Sequence, residues 1–543
     1  MRWKPRAWGA LKGCWEVRCK TACLIEKVIC IVSKIISPRK ILVIYAFDPN
    51  EEETIRRWTH HHHLHALDYS LAGHDIVYYN VFDSLQHLPN VYDLPSEPQK
   101  IPAFIADKAF DVLILHYSFL CYRWLYVSAF DYRFFEWKNY FRWIGEMDCI
   151  KIAIPQDEGD HCEVLDEWLF DWNMSAVLTN FGAEGVKVIY PLLSQYADFY
   201  ACHPGYIDNN TAERYTDKLL PLEKRPLDIV YRARHLPYYI GARGQLKWII
   251  GDEVAKRAIK HGLKVDISTR PEDTIYEVWY DFLASSKATL GCEGGFSAPN
   301  WRGEYRDHLE MLREDDPQLT FAEFNARMPR GWDGYEQLAI TGPRHFEAVF
   351  TKTCQVLIEG SYRGVLQADK HYIPIKKDLS NLEEVLEKLK DYRYMQEIID
   401  CAYEEIYLNG EYTYRAFAGL IEQAILDQEQ KHRMGLQERN MIKTNTESEE
   451  MIKMLQKQVV AERHHNVWLE AKLLRSARYM EPSLKVQFIT RTLRERIKLL
   501  WQEYKSLSLK VKCVVIAILL ILGLFMSIGL VSLAAIALAL WIR

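Results

Sequence analysis

PLDIVYRARHLPYYIGARGQLKWIIGDEVAKRAIKHGLKVDIST, residues 226–269, reads as one complete β-α-β unit. Pro226 to Arg234 is a short apolar run that ends in basic residues. Gln245 to Gly262 is an amphipathic helical stretch with a glycine stop, and Leu263 to Thr269 is a second apolar run. Two strands joined through a helix pair in parallel, because the crossover returns the chain to the edge it left. The pattern continues downstream in KATLGCEGG (287–295), CQVLIEG (354–360) and KHYIPIKKD (370–378).

Upstream of a break near residue 220 the same alternation occurs a first time. KILVIYAFD (40–48), DIVYYN (75–80), DVLILHY (111–117), CIKIAIPQD (149–157), AVLTN (176–180) and VKVIYP (186–191) are expected strands with helical stretches between them. Two successive sets predict an α/β protein of two facing Rossmann-like domains, residues 40–222 and 223–425. Ligands would bind beyond the carboxyl ends of the strands, in the cleft between the domains. The run His60–His63 with His65 is expected on an exposed polar helix face. Tryptophans are spread over both halves, Trp58, Trp124, Trp137, Trp143, Trp279, Trp301 and Trp332 among them, to serve as core or as stacking faces.

The flanks differ in character. Cys513 to Ile542 carries no charged residue. As a helix it would rise roughly 45 Å, against a hydrocarbon core of about 30 Å, so one transmembrane helix is expected. Eight basic and two acidic residues lie between Lys485 and Lys512. Such a flank stays in the cytoplasm. The expectation is a cell-membrane protein, single-pass and C-terminally anchored, with its N-terminal domains in the cytoplasm. Residues 426–512 read as a helical stalk or coiled coil, with room for a homodimer, ending in a basic juxtamembrane helix. Residues 1–39 form a basic segment with three tryptophans, suited to anionic lipid. The twelve cysteines are scattered, without the density of a disulfide scaffold, and the net charge of −5 gives no sign of a nucleic-acid partner.

The stretch from Ile340 to Asp391 holds the most chemistry. Thr341-Gly342-Pro343 is a helix start, whose free N–H groups suit a phosphate. Arg344 in the first turn can add a charge-assisted contact. Glu347, one turn on, can accept from the two hydroxyls of a ribose. His116 and the pair Asp157 and Glu158 follow expected strands at the cleft, where a side-chain base on an acceptor hydroxyl would sit.

This block resembles the C-terminal domain of GT-B glycosyltransferases, most closely the bacterial group related to glycosyltransferase family 1/4 and the CgeB type. The resemblance covers about residues 40–425. It implies that the helix with the FEA element (346–348) grips a nucleotide-sugar donor. KATLGCEGGFSAPNWRG (287–303), with Gly294 and Gly295, resembles the Gly-rich loop of that group. DIVYRARHLPYYIGARGQLKWII (228–250) resembles the segment that brings Arg232 or Arg234, and Lys247, to the donor diphosphate. The chain departs from the E-x7-E pair of many family-4 enzymes, because Ala339 stands where the first Glu would. The resemblance implies no cofactor and no catalytic metal.

The expected function is therefore a glycosyltransferase that moves a sugar from a nucleotide-diphosphate donor to a lipid-linked or glycan acceptor at the cytosolic membrane face. A catalytically degenerate GT-B scaffold that recruits partners is the alternative. A nucleotide-sugar epimerase or dehydrogenase is disfavoured, since FDPNEEET (47–54) lacks the glycines that cradle a dinucleotide.

Overall fold

A computed structural model describes residues 38–439, apart from 49–57, 71–72, 86–93, 96 and 127–132. The expected membrane span, the basic segment 1–37 and the stalk beyond Arg439 lie outside the described residues. No helix among the described residues is long and apolar enough to cross a membrane.

Two parallel sheets organise the chain. The first contains β1 (Lys40–Tyr45), β2 (Asp75–Asn80), β3 (Val112–His116), β4 (Ile150–Ile154), β5 (Ala176–Thr179) and β6 (Asp198–Ala201). Their order is β2-β1-β3-β4-β5-β6. The second contains β7 (Leu227–Arg232), β8 (Val265–Ser268), β9 (Ser286–Gly291), β10 (Cys354–Ile358) and β11 (Ile373–Ile375), in the order β11-β10-β9-β7-β8. Every strand pair is parallel. Both sheets therefore start in the middle, grow one way by a single strand and then reverse. The reversals fall between β1 and β3 and between β7 and β9. At such a point the two crossovers leave to opposite faces and a crevice opens.

One expected strand is a helix. Residues Ala183–Ile189, which include most of VKVIYP, are α-helical. Val186, Ile189 and Tyr190 are buried while Lys187 between them is exposed, which is the three- and four-residue step of a helix face. The sixth strand is instead DFYA, Asp198–Ala201. It is short, half-buried and at the sheet edge, so it has no apolar run to announce it.

The histidine run is also placed differently from the expectation. His62 and His63 are buried, and only His65 of the residues 62–65 is exposed. Their helix, Trp58–Ser70, is covered by a second one, Tyr414–Arg439. The second helix follows both sheets in sequence yet joins the core of the first, through Tyr414, Phe417, Ile421, Ala424 and Ile425. His63 stacks on Phe417 at 4.7 Å. Burial pulls its pKa down to about 3, so the ring packs as a neutral aromatic.

Direct contacts hold the two sheets' layers together. Asp160, after β4, forms an isolated parallel bridge with Asn300, after β9. His161 N donates to Asn300 O at 2.7 Å and Asn300 N to Gly159 O at 2.8 Å. The Asp160 carboxylate accepts from Asn300 Nδ2 at 2.7 Å and pairs with His161 Nδ1 at 2.9 Å and Arg306 at 2.8 Å. Gly303 allows the close approach. Its φ is +93°, and a Cβ there would meet the His161 ring at 2.5 Å.

Burial alone would raise the Asp160 pKa. The hydrogen bond and charge of His161, with the charges of Arg306 and Arg123, bring it to about 2 instead. The folded value lies below the unfolded one of 3.8. Its stabilisation is thus present above about pH 4 and is lost as the pH falls toward 2, in total about 2 kcal/mol. Urea unfolding should show Asp160→Asn less stable than the parent at pH 7. The gap should narrow as the pH drops below 4. A gap that stays constant down to pH 2 would remove Asp160 as an acid-sensitive pin.

Candidate functional site

The two crevices open into one cavity of about 1680 Å³. Ala46 and Asp48 line it from the end of β1, and Tyr117 and Ser118 from the end of β3. Ala233 and Arg234 reach it from β7, and Cys292, Gly294 and Gly295 from β9. A pocket for one small ligand usually occupies about 300–1,000 Å³, so this cleft has room for two molecules side by side.

On the second-sheet wall, Gly342 caps the helix Pro343–Phe350 with extended backbone, and Pro343 takes the first helical position. The first turn therefore faces the cleft with N–H groups that no preceding turn can accept. Gly294 lies opposite, exchanging backbone hydrogen bonds with Ile340 at 2.9 and 3.2 Å. Gly295 adopts φ +85°, and a Cβ on it would meet Leu338 O at 2.3 Å. Only glycine holds this loop so close to the segment that leads into the helix.

The cations on this wall are not alike. Arg232 is committed to the sheet edge. It donates to the carbonyls of Tyr231, Asp266 and Asp273 at 3.0 Å each and pairs with the Asp266 carboxylate at 2.8 Å. Arg234 is held by Thr274 Oγ1 and Tyr276 OH at 3.1–3.2 Å. Arg344 is exposed, donates to Arg232 O and lies 5.0 Å over the Trp279 ring. Lys247 is half-buried on the cleft wall, and its ammonium makes no hydrogen bond or ion pair with the described residues. Burial pulls its pKa down, so holding this charge in place carries a desolvation cost. Glu347 is buried with its Oε2 accepting from Trp279 Nε1 at 2.7 Å.

The first-sheet wall corrects two of the three expected bases. His116 is the last residue of β3 and fully buried, and it does not line the cleft. Its Nδ1 accepts from Ser118 N at 3.3 Å and lies 2.8 Å from Ser118 Oγ, so it caps the next turn. Glu158 is buried too. It accepts from Thr179 Oγ1 at 2.6 Å, Asn180 N at 2.7 Å, Asn180 Nδ2 at 3.0 Å and Tyr190 OH at 2.5 Å. Four donors make it a staple between the ends of β4 and β5, beyond reach of a ligand. Burial pushes its pKa up, against those hydrogen bonds.

Asp157 differs from both. It lines the cleft, is exposed, and has φ +48°. The turn that aims it is built by Arg123, whose guanidinium is fully buried. Arg123 donates to the carbonyls of Leu120, Gln156, Asp157 and Asp160 at 2.8–3.1 Å. No sequence pattern marks Arg123 for this task. Ser118, Gln156 and Tyr276 also line the cleft, and no sequence pattern marks them either. Among the tryptophans, Trp124 and Trp279 line the cleft, whereas Trp137, Trp143 and Trp332 are buried in the cores. Among the described residues no group of three or more His, Cys, Asp or Glu is arranged to hold a metal ion.

No protein-family model matches the chain. No curated protein matches it either. Solved structures give distant likenesses. One is a glycosyltransferase from Rickettsia africae, 9% identical, covering 72% of this chain and 99% of that chain at a TM-score of 0.33. Another is an α1,3-fucosyltransferase, 9% identical, covering 72% and 91% at a TM-score of 0.35. A third is the Anabaena protein Alr3699/HepE in complex with UDP and glucose, 10% identical, covering 72% and 100% at a TM-score of 0.33. At these TM-scores the likenesses decide neither fold nor chemistry, which rest on the two sheets and the cleft themselves.

Proposed function

We propose that this protein is a GT-B-type glycosyltransferase that takes a sugar from a nucleoside-diphosphate donor. The observation that carries the reading is the half-buried Lys247 ammonium, without a partner among the described residues, on the wall of a cleft where both sheets reverse. A cation kept there at a desolvation cost needs an anion to offset it, and a diphosphate is one. The diphosphate would lie between Lys247, Arg344 and the first turn of helix Pro343–Phe350, where positive potential also stabilises the leaving group. The ribose hydroxyls would donate to Glu347. The acceptor would occupy the first-sheet side, with Asp157 taking the proton from its attacking hydroxyl.

The acceptor in this reading is membrane-associated, lipid-linked or a surface glycan. The apolar segment 513–542 would anchor the chain with its cleft on the cytosolic side, where nucleotide sugars are made. The test is turnover. Full-length protein in membranes, given labelled UDP-, GDP-, dTDP- and ADP-sugars with lipid extract, should release one nucleoside diphosphate and label a membrane-bound product. A degenerate scaffold is the competing reading, favoured by the burial of His116 and Glu158. It would give neither turnover nor a thermal shift with any donor.

A further inference from the structure

Trp279 begins the helix Trp279–Ala284, between β8 and β9. Its indole touches two of the candidate donor contacts at once. Nε1 donates to Glu347 Oε2 at 2.7 Å, and the ring face carries the Arg344 guanidinium at 5.0 Å. The other carboxylate oxygen, Glu347 Oε1, stands 3.8 Å from His62 Nε2. His62 in turn is 2.8 Å from Tyr414 OH through Nδ1. The carboxylate is thus held from its own layer by Trp279 and approached from the other by His62.

A glutamate on a helix has three rotatable bonds, and an arginine has more. Each loses rotamer freedom when it must meet a ligand in one orientation. A fixed indole N–H removes that loss for Glu347 and leaves acceptor sites on both oxygens for incoming hydroxyls. The ring face does the same for the guanidinium, with a cation–π attraction.

We infer that Trp279 is the positioning residue of the donor site, orienting Glu347 through its N–H and Arg344 through its ring. The inference rests on the nucleotide-sugar reading above. Trp279→Phe separates the two roles, because the ring remains and the N–H is lost. Calorimetry of the full-length protein in detergent, with UDP, GDP, dTDP and ADP in turn, identifies the nucleotide that the parent binds. For that nucleotide, Trp279→Phe should raise Kd about tenfold with unchanged stoichiometry, the loss of one hydrogen bond to a charged group. Trp279→Ala should raise it about tenfold further, because Arg344 loses its support as well.

A Kd for Trp279→Phe within twofold of the parent overturns the inference. A fall in stoichiometry at unchanged Kd also overturns it, since that is the mark of a fold defect alone. If the parent binds none of the four nucleotides, the nucleotide reading itself fails, and the failure does not lie with Trp279.

Discussion

Replacing Lys247 by Met should weaken binding of the donor's nucleoside diphosphate about a hundredfold, while leaving the unliganded protein no less stable. The two halves have one cause. The ammonium is half-buried, has no partner among the described residues, and has its pKa drawn down by burial. Methionine keeps the aliphatic stem and its packing but removes the desolvated charge. A diphosphate that lost this contact would give up a charge-assisted interaction in a partly dry site, worth about 2–5 kcal/mol. Calorimetry for affinity and thermal melting for stability read the two halves separately. A variant that binds normally would take Lys247 out of the site. One that loses binding and melts far lower would make it a structural residue.

Asp157→Asn should lower turnover between a hundred- and ten-thousandfold with donor affinity within twofold of the parent. This is the range for removing a general base that acts only in the transition state. Asn is the suitable replacement because position 157 has φ +48°. Asn enters that left-handed region at least as readily as Asp, so the turn built by Arg123 should survive. Glu158→Gln makes an informative contrast. It would disturb the Thr179, Asn180 and Tyr190 hydrogen bonds, so its loss should appear first in stability. Full turnover in Asp157→Asn would move the base to another residue.

The difference between Asp157 and its neighbours shows where sequence reasoning stops. The sequence places candidate bases at the ends of β3 and β4, where the cleft opens. It does not tell which of two adjacent side chains faces the ligand. Both places lie where the extended backbone has ended, Ser118 in the helical turn after β3 and Asp157 at φ +48° beyond β4, so strand alternation no longer tells which side chain faces the cleft. His116 and Glu158 are buried away from the cleft, whereas Ser118 and Asp157 line it. The strands with long apolar runs were legible, as were the helix start at Gly342-Pro343 and the glycine loop at Gly294-Gly295. The edge strand Asp198–Ala201 was not, because an edge needs little apolar surface.

The burial of His62 and His63 is not legible in the local sequence either. Nothing within residues 60–65 says that a helix from beyond residue 413 returns to cover them. Their burial is set by Phe417 and Tyr414, over 300 positions away. The same return joins the far end of the described chain to the first sheet, across the boundary that composition places near residue 426.

The claim at the centre is that a nucleoside diphosphate lies against the carboxyl ends of β7 and β9 and the start of helix Pro343–Phe350. Hydrogen exchange of the full-length protein, with and without UDP and GDP at saturating concentration, tests it most directly. One of the two should slow exchange in residues 274–280, 291–295 and 340–347, with the first-sheet strands unchanged. Tight binding by either nucleotide with protection confined to the first sheet, or with none in those three segments, would contradict it.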